Sequence, residues 1–189
     1  MKINKQIVNK ILLALLLLIT LSACQTANTN TVEPVSSATL KSGDVIPAPD
    51  GEVILTVSGE IGVTNRDDQL VLDLATIEKM GLVKYTVNDP WLKEEVTYTG
   101  VLMSDFLNVI GVPDSATTVR FHALDDYESE ITIAEMQEWS ILLVTQTNGE
   151  YMTIENSGPT RIIFPYDIYP DLAPARDMSV WNIDSMEIR

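Results

Sequence analysis

The sequence predicts a β-rich α+β domain, with mixed sheets and a few short helices. Its apolar runs are short, and the best of them, Trp181-Asn182-Ile183-Asp184-Ser185-Met186-Glu187-Ile188, alternates with the period of a half-buried strand. Turn residues punctuate the runs. Asn148-Gly149 stands between Ile141–Thr145 and Tyr151–Ile154 and is the clearest hairpin signal in the chain. The helical stretches are brief and do not alternate regularly with strands, so a doubly wound parallel sheet is not expected.

The chain opens on Lys2, Lys5 and Lys10, followed by the apolar run Ile11–Ile19 and then Leu21-Ser22-Ala23-Cys24. A basic head, a short apolar core and small residues predict a secretory signal peptide over residues 1–23, too short to span a bilayer. The Leu-Ser-Ala-Cys ending resembles the bacterial lipoprotein box. That resemblance implies cleavage before Cys24, a diacylglycerol on its thiol and a lipid-anchored protein on the periplasmic face. Gln25 stands where the inner-membrane retention signal of Gram-negative lipoproteins usually has Asp, which favours the outer membrane if the organism is Gram-negative. Residues 24–50, rich in Thr, Asn, Ser, Ala and Pro, read as a flexible tether, with the domain over 51–189.

Within the domain, Val53–Ser58 reads as a strand ending at Gly59. Asp73 can cap a short helix that Gly81 ends. Val83–Val87 is a strand running into the turn Asn88-Asp89-Pro90. A strand through Val96 and Tyr98 follows, then Gly100 and a helix over Ser104–Ile110 closed by Gly111. Thr117–Ala123 and Glu130–Ile133 have strand character with an acidic loop between them, and Arg161–Phe164 is a further apolar strand. There is no internal repeat.

Charge and composition exclude several functions. The chain carries −15 overall, and losing residues 1–23 removes three lysines and no acid, giving −18. Such a surface repels phosphate backbones, so no nucleic-acid partner is expected. Cys24 is the only cysteine, so no internal disulfide can form and the domain has no thiol. The single histidine, His122, excludes multi-histidine zinc sites. It sits on a strand, where a hydrogen-bonded structural role is the commoner one. No Gly-x-Ser-x-Gly elbow and no phosphate-cradling glycine loop is present. The acidic loop lacks the spacing of a calcium loop.

Three segments have the composition of a site: Thr86-Val87-Asn88-Asp89-Pro90-Trp91, Asp125-Asp126-Tyr127-Glu128-Ser129-Glu130, and Ser157-Gly158-Pro159-Thr160-Arg161. Singly they read as a turn tryptophan covering a core, a solvated acidic loop and a salt-bridging arginine. Together, with Val57-Ser58-Gly59, Thr99-Gly100-Val101-Leu102 and above all Gly158-Pro159-Thr160-Arg161-Ile162-Ile163-Phe164-Pro165, they resemble the oxidoreductase molybdopterin-binding domain, the sulfite-oxidase fold.

Enzymes of that family hold molybdenum through a cysteine thiolate after the early strand. Thr86 or Val87 occupies that place here, and a threonine hydroxyl is too weakly acidic to replace a soft thiolate. The resemblance therefore implies a pterin-binding protein without molybdenum, leaning away from an enzyme. Its ligand residues would be Thr86, Asn88, Trp91, Asp126, Tyr127 and Arg161. Asp126 would accept from the amide–guanidine edge of the ring, Trp91 or Tyr127 would cover its face, and Arg161 would pair with a carbonyl or phosphate. Cysteine-lacking relatives imply a ligand sensor acting on a membrane-bound cyclic-di-GMP enzyme. A structural or assembly lipoprotein with a vestigial pocket, and a molybdenum-cofactor oxidoreductase, are the alternatives.

Overall fold

The computed structural model describes residues 31–189; the predicted signal segment, Cys24 and Gln25 lie outside the described residues. Eleven strands and four helices follow in the order β1 (Glu33–Pro34), β2 (Leu55–Gly59), β3 (Leu70–Leu72), α1 (Leu74–Glu78), β4 (Val83–Asn88), β5 (Glu95–Leu102), α2 (Met103–Val109), β6 (Thr118–Ala123), β7 (Glu128–Thr132), α3 (Ile133–Glu138), β8 (Leu142–Thr147), β9 (Glu150–Tyr151), β10 (Arg161–Ile163), α4 (Leu172–Met178) and β11 (Ile183–Ile188). The predicted β-rich α+β class is what the structure shows.

The strands form two sheets. One runs β1-β4-β5-β8-β10, antiparallel throughout, with β9 added to β8. The other runs β3-β2-β11-β6-β7 and is mixed, because β11 lies parallel to β2. A single apolar core takes in both: Leu55, Val57, Tyr98, Val101, Phe121, Leu143, Ile162 and Ile188 are all buried within it. With no disulfide available, that burial, worth about 25 cal/mol per Å² of apolar surface, is what holds the domain.

Local chemistry explains the elements. Asp73 caps α1 by accepting from Thr76 N at 2.8 Å, and Gly81 takes the left-handed φ of 96° beyond its end. The predicted strand around Val96 and Tyr98 continues through Gly100 to Leu102. There the register to β8 shifts, and a Cβ on Gly100 would collide with the Leu143 carbonyl oxygen, so glycine permits the close approach. The helix α3 was not foreseen although its start carries a readable signal: Thr132 and Glu135 form a reciprocal capping box. Strand β3 and helix α4 were also not foreseen.

The tether predicted through residue 50 ends earlier. Val35 N and Ser36 N donate to the Leu82 carbonyl at 2.8 and 3.1 Å, Thr39 N and Leu40 N donate to that of Lys79, and Ile46 is buried. Composition hides this because the segment docks chiefly through backbone groups that satisfy the C-terminal carbonyls beyond α1 and the edge of β4. If these residues belong to the folded unit, Ile46→Ala removes core packing. Urea denaturation should then show a loss of about 2–4 kcal/mol with an unchanged m-value. A loss within about 0.5 kcal/mol would return the segment to the tether.

Candidate functional site

The β4–β5 turn, the start of β10 and the start of β11 converge at one end of the first sheet. Asp89, 2 % exposed, organises the turn. Its Oδ1 accepts from Trp91 N at 2.9 Å and Leu92 N at 2.8 Å, and its Oδ2 accepts from the Tyr98 hydroxyl at 2.7 Å. The turn thereby presents the Trp91 ring edge-on to Tyr166 and Trp181, with centroids 5.7 and 5.3 Å apart. Burial pushes the Tyr98 hydroxyl well above its ordinary pKa; the bond to Asp89 adds to the rise and the Arg161 charge opposes it. Burial likewise raises Tyr166 to about 12, against the lowering effect of its bond with Ser179.

Arg161 follows the cis Gly158–Pro159 peptide and opens β10. It is only 6 % exposed, and its guanidinium lies 5.2 Å from the Tyr98 ring centre and 5.1 Å from that of Trp181. Among the described residues no carboxylate comes within ion-pair distance of it, and its buried Nε has no hydrogen-bond partner. The Thr147 hydroxyl is the other buried side-chain group in that state. Both residues line one cavity of ≈ 470 Å³, together with Asp89, Trp91, Tyr151 and Trp181. Two unsatisfied polar groups, a cation and indole faces in one cavity describe a place for a flat ligand that carries oxygens.

The sequence-predicted residues divide. Trp91 and Arg161 meet in this cavity. Tyr127 lines a second cavity of ≈ 230 Å³ that shares Trp91 and Trp181 as its wall, and its hydroxyl donates to the Asp177 carbonyl at 2.6 Å. Thr86 is exposed and bonded to the Thr97 hydroxyl at 2.7 Å, while Asn88 is bonded through its side chain and its backbone N to Asp167; neither lines the cavity. Asp126 has a side chain 97 % exposed beside His122 and lines neither cavity. The carboxylates that line the cavity are Asp89, Glu150 and Glu155 instead, and of these Asp89 is the buried one. Sequence reasoning took Asp89 for a turn former and missed Thr147, Tyr98 and Trp181. The only readable hint was the placing of an Asp just before a Pro-Trp pair.

His122 is built into a separate cluster. Its Nδ1 is 3.0 Å from Asp184 Oδ1 and its Nε2 3.7 Å from Asp126 Oδ1. The hydrogen bond to Asp184 raises its pKa against the opposing effect of burial, and the charges of Asp184, Asp126 and Glu128 add to the rise.

A family model described as the oxidoreductase molybdopterin binding domain matches residues 67–169, which is more than half of the chain. No curated protein matches. Among solved structures, the crystal structure of the sulfane dehydrogenase SoxCD from Paracoccus pantotrophus superposes with a TM-score of 0.54 at 15% identity, over 71% of this chain and 37% of that one. The chain thus spans little more than a third of the SoxCD chain it matches. It belongs to the oxidoreductase molybdopterin-binding domain family and has its sulfite-oxidase-like fold.

The lone histidine makes one electrostatic expectation simple to check. Its folded pKa lies above the unfolded 6.5, so the pairing with Asp184 stabilises the fold fully below about pH 6.5 and is lost as pH rises through the raised value. A proton NMR titration of the single imidazole should show the raised midpoint in the native protein, and Asp184→Asn should bring it down. An unchanged midpoint in that variant would remove the assigned cause.

Proposed function

We propose that this member of the molybdopterin-binding domain family binds a pterin in the Arg161–Trp91 cavity without redox catalysis, as a periplasmic, lipid-anchored sensor. The observation that carries the reading is Arg161. A buried guanidinium without a carboxylate is costly unless something else supplies the negative end. The ligand carbonyl or phosphate takes that place, and the Thr147 hydroxyl bonds a second ring atom. Asp89 already accepts three hydrogen bonds, and a carboxylate has about four acceptor positions. One position therefore remains for an N–H on the guanidine edge of a pterin. One of the two perpendicular indoles, Trp91 or Trp181, covers the ring face and the other meets its edge.

Molybdopterin, when bound with its metal, would bring oxygen-transfer redox chemistry. The residues at this cavity suit the pterin and its anionic groups. They do not suit the protein's share of metal binding, because Asp89, Glu150, Glu155 and Ser157 offer hard oxygens and no thiolate. The non-catalytic reading rests on that donor set. The lipoprotein-like box at Cys24 supports the anchored periplasmic location, and the cysteine-lacking relatives support a membrane signalling partner such as a cyclic-di-GMP enzyme.

Calorimetric titration with a reduced tetrahydropterin tests the pocket, and tryptophan fluorescence reports it, since two of the three tryptophans line the cavity. Trp91→Ala and Arg161→Met should each weaken binding at least tenfold, about 1.4 kcal/mol, while Asp126→Asn leaves it unchanged. Arg161→Met should also hold or raise the thermal midpoint, because it removes a buried unpaired charge. Wild-type affinity in both cavity variants would place the ligand elsewhere.

A further inference from the structure

The cavity mouth has an uncommon border. Of the ten large apolar side chains exposed among the described residues, six belong to its walls, to those of the smaller cavity beside it, or to residues next in sequence to them: Leu92, Leu124, Tyr127, Tyr151, Ile154 and Trp181. Leu92, Tyr151 and Trp181 line the main cavity, and Tyr127 and Trp181 line the smaller one beside it. Asn182 ties the remaining two together, donating to the Ile154 carbonyl at 2.7 Å and accepting from Leu124 N at 3.0 Å. Acids outnumber cations around this patch: Glu150 and Glu155 stand on one side, and Asp125 and Asp177 with the single cation Arg176 on the other. An exposed apolar patch with a polar border is the form of a protein interaction site.

The chain's path says where the partner stands. Strand β1 is antiparallel to β4, pairing Glu33 with Lys84 and Pro34 with Val83. Upstream of Glu33 the chain therefore points toward the Asn88 end of β4, where the turn carrying Trp91 and Leu92 begins. Thr31 lies seven residues after Cys24. Even fully extended, that length reaches at most about 25 Å, so an anchor at Cys24 keeps this end near the membrane. The acidic border is repelled by anionic headgroups, which favours a protein over the lipid surface.

We infer that the apolar, acid-bordered rim of the cavity docks a protein held at the same membrane, through an apolar segment flanked by lysines or arginines. The surface rests on the proposed anchor and completes the sensor reading, since Trp91 and Trp181 wall the ligand cavity and Trp181 also belongs to the rim.

The test places a photo-crosslinking amino acid at Ile154, at Leu124 and, as a control, at exposed Val45 in the full-length protein in its native host. The expected result is one membrane-associated protein, joined from Ile154 and Leu124 but not from Val45. Its crosslinked peptide should be basic and apolar, and the yield should fall at high salt. Leu124→Asp combined with Ile154→Asp should cut the yield at least tenfold and leave tetrahydropterin affinity unchanged. Crosslinks to lipid, to a second copy of the chain or to no defined protein would overturn the inference, as would a product that survives the double variant. Loss of pterin binding with the crosslink retained would remove the ligand reading and leave the surface standing.

Discussion

A guanidinium held out of water with no carboxylate beside it is the constraint around which the functional end of the molecule is arranged. Arg161 has aromatic faces for company, Tyr98 on one side and Trp181 on the other. Such contacts return about 0.5–2 kcal/mol each, less than the effective penalty of several kcal/mol for burying a charge. The chain's net charge of −15 means that acids are plentiful, so the lack of an ion-pair partner for Arg161 among the described residues is a property of the site and not of composition. The neighbouring carboxylate, Asp89, is committed elsewhere. It holds the Tyr98 hydroxyl and two backbone amides, which fixes both the ring under Arg161 and the turn that carries Trp91.

The sheets bring these groups together from distant parts of the chain. Strand β5 lies between β4 and β8, and β8 lies between β5 and β10, so the β4–β5 turn and Arg161 are gathered at one end of the same sheet. The close approach at Gly100 accommodates the shift of register between β5 and β8, and Tyr98 pairs with Thr147 two residues before it. That pairing sets the Thr147 hydroxyl at the cavity alongside Tyr98. Trp181 arrives from the opposite sheet, just before β11. A cavity built at the join of two sheets can change its lining without changing the framework, which is how one fold comes to serve different chemistries.

Much of the framework was legible because it is written locally. The Asn148-Gly149 hairpin, the Asp73 cap, the Gly81 stop and the alternating strand β11 each depend on residues a few positions apart. The docking of residues 33–46 was hidden, since it relies on main-chain groups of Lys79 and Leu82 that no side-chain pattern announces. Two of the proposed ligand residues, Trp91 and Arg161, share the cavity because their types suit a stacked, anionic ligand wherever they fall. Asp126 and Thr86 lie outside the cavity for a geometric reason. Asp126 sits at φ 65° in a loop tip and points into solvent, and Thr86 occupies an exposed position on β4, where its hydroxyl is used by Thr97. Position in sequence near an aromatic residue does not fix the direction of a side chain; the pleat and the turn do.

The cavity also explains why keeping the fold does not require keeping the chemistry. A molybdenum centre needs a soft ligand from the protein, and the chain's one thiol is Cys24, ahead of the domain. The proposed pterin would need an indole face, donors for its oxygens and an acceptor for its N–H groups. Those requirements are met by Trp91, Trp181, Arg161, Thr147 and Asp89, residues that also hold one another in place through the turn and the rings. On the proposed reading, a site without the thiolate would lose redox chemistry and keep recognition. What binding can then do is bounded by what the wall touches. Trp91 packs on Trp181, Tyr166 and the Arg176 guanidinium, so a ring inserted against it bears on α4 and on the second cavity at once. A ligand that makes different contacts with two arrangements of that wall shifts the balance between them, and only to the extent of that difference.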